Sequence, residues 1–548
     1  MTSARPLPGR ECSAAFWPPD VGIGGPGDFL GPVGRVLCSA THRDLPIANA
    51  ATCAAAGRFR RIPRPPTGEL PICEIAHPVV WKTLPVRGNE TELQAVRATS
   101  LVDRLDQRVV VVLTILGFAI PVLAYLWFAH RFSLNAIVGD QWDDVTVIQG
   151  SYVHFFDWGR MWVPHNDNRI FFPNIIVVLL AHTVHFNLLV EEWLSVAMLL
   201  AATALAILAH KRRSPSTPWL YYCPVAFLML TWVQWQNTVW GFQFAWYLVL
   251  LSFMACVFLL DRPVLTWLAF AGAMVTAVIG TFSSLQGLLI WPVGLALLYF
   301  RRRRAWQFGL WVVGGAASAV LYFYHLGASS QTSFVTSHPL ESVRFYLVTI
   351  GEVLGQTVPL RDSVSSTAPL ELFGLLVVLS AVAAVIVNGL RRDESSASPV
   401  GVALISYGLL FVASVTQGRA YLGIWAAAQS RYTSFTVILF VGIYLTILGR
   451  VPRTAASPQW IDRIVLPATS AAVLMAIVVQ VSFAFPDGYR HEVPNYGYFA
   501  KAETVLRNID HASNADVGYY LFYFESDASI RQRAHFLQTH HLSVFAGQ

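Results

Sequence analysis

Residues 109–129 read VVVVLTILGFAIPVLAYLWFA, and residues 139–145 read GDQWDDV. The first stretch is apolar throughout and has the length, about twenty residues, that a helix needs to cross a bilayer. The second sets Asp140, Asp143 and Asp144 around Trp142, where that helix would meet water. Together they predict a membrane chain with its polar chemistry gathered at the hydrocarbon boundary. Apolar runs of similar length recur as far as residue 482. They are continuous rather than alternating, which predicts an all-α polytopic bundle and excludes a β-barrel.

Composition agrees. The chain has 548 residues, 55% hydrophobic and 13% charged, whereas a soluble domain carries roughly 25% charged residues. The net charge of +6 is concentrated in clusters at span ends: Arg104/Arg108, Lys211 to Arg213, Arg301 to Arg304, Arg391/Arg392 and Arg450/Arg453. Short loops rich in Lys and Arg stay cytoplasmic, so these clusters should share one side as topology anchors. They are not read as nucleic-acid sites. Lysine is confined to Lys82, Lys211 and Lys501, a bias associated with GC-rich bacterial genomes and hence with a bacterial plasma membrane. Cys12, Cys38, Cys53 and Cys73 precede the first span and Cys223 and Cys256 lie within spans, so neither a disulfide framework nor a zinc site is implied.

Residues 1–100 are rich in Pro, Gly, Ala and Arg and read as a disordered extension, or as the result of a start codon placed too early. Residues 101–482 form the transmembrane domain. The charge rule gives outward spans at 109–129, 218–233, 264–281, 306–324, 400–416 and 462–482. Inward spans fall at 192–210, 242–260, 287–300, 371–390 and 432–449. That is about eleven spans, with the N-terminus inside and the C-terminus outside. Residues 171–187 read as a helix along the membrane surface, because counting it as a span would put Lys211 to Arg213 outside, and the same charge argument makes 340–358 a second surface helix within the loop 325–370. Residues 483–548 form a small external tail packed on the bundle.

The external loops carry the polar motifs. If GDQWDDV is helical, Asp140 and Asp144 share a face at i and i+4. Such a pair can supply a general base, or hold a divalent cation such as Mg or Mn. The simpler alternative is a solvated helix cap. His165, Asp167 and Arg169 of HNDNR are candidates for binding a phosphate or an acceptor, although Asp167 and Arg169 can also pair with each other. In QWQNTVWGFQ (234–243), Gln236, Asn237 and Gln243 can hold sugar hydroxyls or stitch helices together. Its tryptophans read as an interfacial belt. Arg419 and Arg431 bracket GRAYLGIWAAAQSRY on the outer side, where an arginine needs an anionic partner, and Tyr432 stands beside Arg431.

In order and sidedness, GDQWDDV, HNDNRIFFPN, WQNTVWGFQ, SSLQGLLIWPVG and GRAYLGIWAAAQSRYTSF resemble a bacterial branch of the GT-C glycosyltransferases, over roughly residues 105–545. The resemblance implies transfer of a sugar from a polyprenyl-phosphate donor to an envelope glycan, lipid or protein on the outer face. An aspartate of the 140/143/144 cluster would be the base. Arg431 with Tyr432 would face the donor phosphate, and Arg169 and His165 would lie near the acceptor or the phosphate. The chain reads HNDNR where the branch pattern has an acidic residue and then histidine before the arginine, so Asn168 stands in the histidine's place. Three rivals remain: a polysaccharide polymerase or ligase, a transporter of lipid-linked sugars, and a non-catalytic membrane scaffold, which the polar motifs in several loops make less attractive. Transporters usually carry ionisable groups near the bilayer midplane, whereas the mid-span stretches here are almost free of charge.

Overall fold

In the computed structural model of the protein, the described residues are 106–166, 168–326, 333–354, 367–390, 398–449, 477–478, 480–522 and 526–547. The N-terminal extension, Asp167, the pairs Arg391/Arg392 and Arg450/Arg453, and most of the expected span 462–482 lie outside them. The described chain begins with α1 (Gln107–Phe132), the acidic α2 (Gln141–Ser151), the short apolar α3 (Phe171–Val184) and the long α4 (Leu188–Arg213). An irregular stretch leads to α5 (Phe244–Leu260), α6 (Trp267–Thr281), α7 (Ile290–Phe300), α8 (Ala305–Phe323) and α9 (Pro339–Gly351). Then come α10 (Ala368–Leu390), α11 (Pro399–Arg419) and α12 (Ser430–Leu448). Three more, α13 (Phe485–Arg507), α14 (Asn514–Tyr520) and α15 (Asp527–Thr539), complete the chain. Among the described residues the only extended pairing is an isolated bridge between His165 and Asn168.

Among the described residues, seven helical segments are long and apolar enough to cross a membrane: those built on α1, α4, α5, α8, α10, α11 and α12. The expected spans 264–281 and 287–300 are shorter apolar helices, Trp267–Thr281 and Leu285–Phe300. The expected span 218–233 is broken. It consists of a 3-10 turn at Trp219–Tyr222, one α-helical piece at Cys223–Met229 and a second turn at Trp232–Gln234. Prolines at 218 and 224 and the polar residues Thr231 and Gln234 interrupt the run. Non-helical backbone at membrane depth is tolerated where protein covers it, and Tyr222, Val225, Met229 and Val233 are fully buried.

The spans divide by what solvates them. In α1 only 11% of the most apolar window is buried, and Val112, Ile115, Leu123 and Trp127 face outward. In α12 that share is 78%. Lipid is about as apolar as leucine, so close packing and hydrogen bonds, rather than burial from water, hold such helices together. The α11–α12 crossing has the small residues this requires: a Cβ on Gly401 would come 2.9 Å from the carbonyl oxygen of Gly442.

Candidate functional site

The acidic helix starts at a sharp turn. Gly139 has φ +58°, a left-handed conformation that glycine adopts without strain. Its N–H donates to the carbonyl of Phe522 at 3.0 Å. Asp140 occupies the N-cap of α2, and Asp143 and Asp144 fall in its first turn. The C-terminal segment pins this turn. Trp142 Nε1 donates to the carbonyl of Leu521 at 2.9 Å, and Arg533 donates to the carbonyl of Trp142 at 2.7 Å.

His165 joins two of the three aspartates. Its Nδ1 lies 2.8 Å from Asp143 Oδ2 and its Nε2 lies 3.5 Å from Asp140 Oδ2. A tight turn presents the ring: His165 and Asn168 exchange backbone hydrogen bonds of 2.8 and 2.9 Å around Asn166, which has φ +50°. Asn168 Oδ1 accepts from Ser284 Oγ and from the Leu285 N–H, both at 3.0 Å, tying HNDNR to SSLQG. Burial disfavours the charged imidazolium, but hydrogen bonds and charge from Asp140 and Asp143 outweigh it and push the His165 pKa up to about 10. At neutral pH the histidine is therefore a cation between two carboxylates. The carboxylates that share a cation are Asp140 and Asp143, not the i, i+4 pair Asp140 and Asp144.

Asp144 points elsewhere. It is buried, and its Oδ2 has no hydrogen-bond partner among the described residues. Burial and then the nearby Glu191 push its carboxyl well above the usual range, with His165 partly offsetting them. Behind it, Gln141 Nε2 donates to Glu191 Oε2 at 3.0 Å. Asp144 borders a cavity of about 40 Å³ with His165, Asn168, Ser283 and Ser284.

An adjoining cleft of about 100 Å³ is lined by Asp140, His165, Gln243, Trp246, Arg419, Arg431 and Tyr432, among others. Six expected site residues, from four separate motifs, thus border one space. Arg431 stacks its guanidinium on the Tyr432 ring, 5.6 Å from the centroid. Its Nε is buried without a hydrogen-bond partner among the described residues, a donor that an anion entering the cleft would satisfy.

Other expected site residues brace the structure. Gln236 Oε1 accepts from the Arg431 N–H at 3.1 Å, and Asn237 Nδ2 donates to the Arg431 carbonyl at 2.8 Å. These amides hold the start of α12, which is the helix-stitching alternative. Arg169 spends its guanidinium on the carbonyls of Trp162, Tyr322 and Tyr324 and stacks on Trp162. Trp235 and Trp240 are packed inside the protein rather than displayed in a belt. Asp167 lies outside the described residues. Among the described residues, no group of three or more His, Cys, Asp or Glu side chains is placed to hold a metal ion.

Arg533, Glu191 and Trp246 are site residues that sequence reasoning missed. The adjacent acids Glu191 and Glu192 at the head of an apolar helix were a legible signal. Arg533 had none, because its contact with Trp142 joins residues 391 apart. No known protein family and no curated protein matches this chain.

Proposed function

We propose that the protein is a membrane glycosyltransferase. It moves a sugar from a polyprenyl-phosphate donor to an envelope acceptor on the outer face of a bacterial plasma membrane. The observation that carries this reading is the shared cleft: a carboxylate held by an imidazolium on one side, and two arginines with a tyrosine on the other.

In this reading Asp140 is the base. It borders the cleft, whereas Asp143 is engaged by His165 at 2.8 Å and Asp144 faces another cavity. The acceptor hydroxyl loses its proton to Asp140 as its oxygen bonds to the anomeric carbon. The bond from that carbon to the lipid phosphate breaks, and the phosphate leaves with the electron pair. Arg419 and Arg431 neutralise the leaving charge, which guanidinium does at any working pH. The charge that two neighbouring carboxylates call for is supplied by His165. A Mg or Mn ion at Asp140 and Asp143 would have to displace that ring.

The test is transfer from a panel of polyprenyl-phosphate sugars by protein reconstituted in lipid. Loss of transfer in Asp140→Asn, with the fold intact, supports the reading. A donor handled equally well by wild type, Asp140→Asn and Arg431→Ala sinks it.

A further inference from the structure

At the other end of the same helices lies a second charged centre that the transferase reading does not use. Helix α4 runs from Glu191, behind the acidic helix, to Arg212 and Arg213. At 1.5 Å per residue, those 21 steps span roughly 32 Å, against roughly 30 Å for the hydrocarbon core of a bilayer. Helix α5 likewise starts beside the cleft and ends at Asp261, and α7 ends at Arg301.

Three basic segments that are far apart in sequence converge here. Arg301 Nε lies 3.3 Å from Asp261 Oδ1, and Arg301 also donates to the Arg262 carbonyl at 3.1 Å. Arg303 donates to the carbonyls of Leu260 and Pro263 at 3.0 and 3.3 Å. Arg212 donates to the Phe258 carbonyl at 2.8 Å and stacks on the Phe258 ring. Cations at a helix C-terminus cap its carbonyls, but capping leaves their charge in place. Segments 210–218, 258–267 and 299–306 carry eight Lys and Arg residues and a single acid, Asp261. Arg303 Nε is buried without a hydrogen-bond partner among the described residues. Around the patch, Trp219, Trp267, Tyr299 and Trp306 are exposed, and such side chains favour the level of lipid headgroups.

We propose that this patch binds the phosphate headgroup of an anionic membrane lipid. Keeping a loop on one side of the membrane requires only positive charge near span ends. It does not require three turns to be drawn around one carboxylate with a buried guanidinium donor left over. Arginine forks suit phosphate oxygens, and basic pockets between helix ends take phospholipid headgroups. The exposed indoles favour a lipid over a soluble polyanion. The site stands apart from the transferase reading and does not depend on it.

Native mass spectrometry of the full chain in detergent tests this, with phosphatidylglycerol and phosphatidylcholine of equal chain length offered in competition. The wild type should retain phosphatidylglycerol at least tenfold better. Arg301→Gln with Arg303→Gln should lower that preference about tenfold, and Arg160→Gln, away from the patch, should leave it unchanged. If the half-buried Arg301/Arg303 variant fails to fold, Arg302→Gln with Arg304→Gln, both on the exposed rim, should lower it several-fold. Equal retention of the two lipids by the wild type overturns the site, as does unchanged retention in the rim variant. Complete displacement of the lipid by millimolar inorganic phosphate would assign the patch to free phosphate instead.

Discussion

Helices α4 and α5 run from the acidic centre at one end to a basic centre at the other, where α7 also ends. The two ends treat charge differently. At the cleft, charges meet opposite charges brought from afar: His165 faces Asp140 and Asp143, and Arg533 comes within 4.0 Å of Asp143. At the basic end, arginines sit on helix carbonyls around one aspartate. The first arrangement fixes its side chains by ion pairs, and the second leaves positive charge largely unneutralised. The sharpest way to break the comparison is to cut each end in turn. Asp140→Asn or Arg431→Ala should lower transfer by at least about 100-fold, the range of a lost general base or charge-stabilising donor. Arg303→Gln, assayed in the same lipid, should change it by less than about threefold. Comparable losses at both ends, measured as initial rates, would mean that the basic end takes part in the reaction.

The imidazolium supplies the next test. The His165 pKa is raised from 6.5 to about 10 in the folded protein. A raised folded value contributes stability that is fully present below the unfolded pKa and is lost as pH rises through the folded one. Thermal stability should therefore fall between about pH 6.5 and pH 10 as the Asp140–His165–Asp143 cluster loses its cation. His165→Gln should flatten that part of the profile. A wild-type Tm that stays level across this window would show that the ring is neutral and that the carboxylates are held some other way.

A smaller effect is expected from the C-terminal segment. Arg533→Met removes the 2.7 Å bond to the Trp142 carbonyl, and a charged hydrogen bond contributes about 1.5–3 kcal/mol. The variant should lower the Tm and speed proteolysis at the tail, with transfer reduced about tenfold. Unchanged proteolysis would mean that the contacts of Leu521 and Phe522 hold the acidic turn without it.

Much of this was legible in the sequence, for reasons that also set its limit. Asp140, His165, Arg419, Arg431 and Tyr432 stood out because sidedness collects external polar groups whatever the details of packing. Seven of the expected spans followed from length and hydropathy, but 264–281 and 287–300 are shorter helices, most of 462–482 lies outside the described residues, and Trp219–Gln234 is broken where protein surrounds its backbone. Roles within one motif were not legible. Asp143 and Asp144 are neighbours in sequence, yet one faces His165 and the other faces Glu191, and only the partners decide. Arg169 looked like an anion ligand, but three carbonyls from distant turns satisfy it. The amides of Gln236 and Asn237 fit either substrate or helix until the backbone of Arg431 was found between them.

The smallest effect is expected at Asp144, and it sharpens the comparison within the acidic helix itself. Burial and Glu191 hold its carboxyl well above the usual range, and it borders the smaller cavity rather than the cleft that Asp140 lines. Asp144→Asn replaces the carboxyl by a neutral group of nearly the same shape. It should leave transfer within about threefold of wild type and the Tm unchanged or slightly raised, because burial beside Glu191 disfavours a carboxylate there and not an amide. Side-by-side rates for Asp140→Asn and Asp144→Asn decide the matter. A loss at Asp144 as deep as that at Asp140 would move the base one helical turn inward, to the smaller cavity beside Ser283 and Ser284. The acceptor would then have to enter from that side of His165.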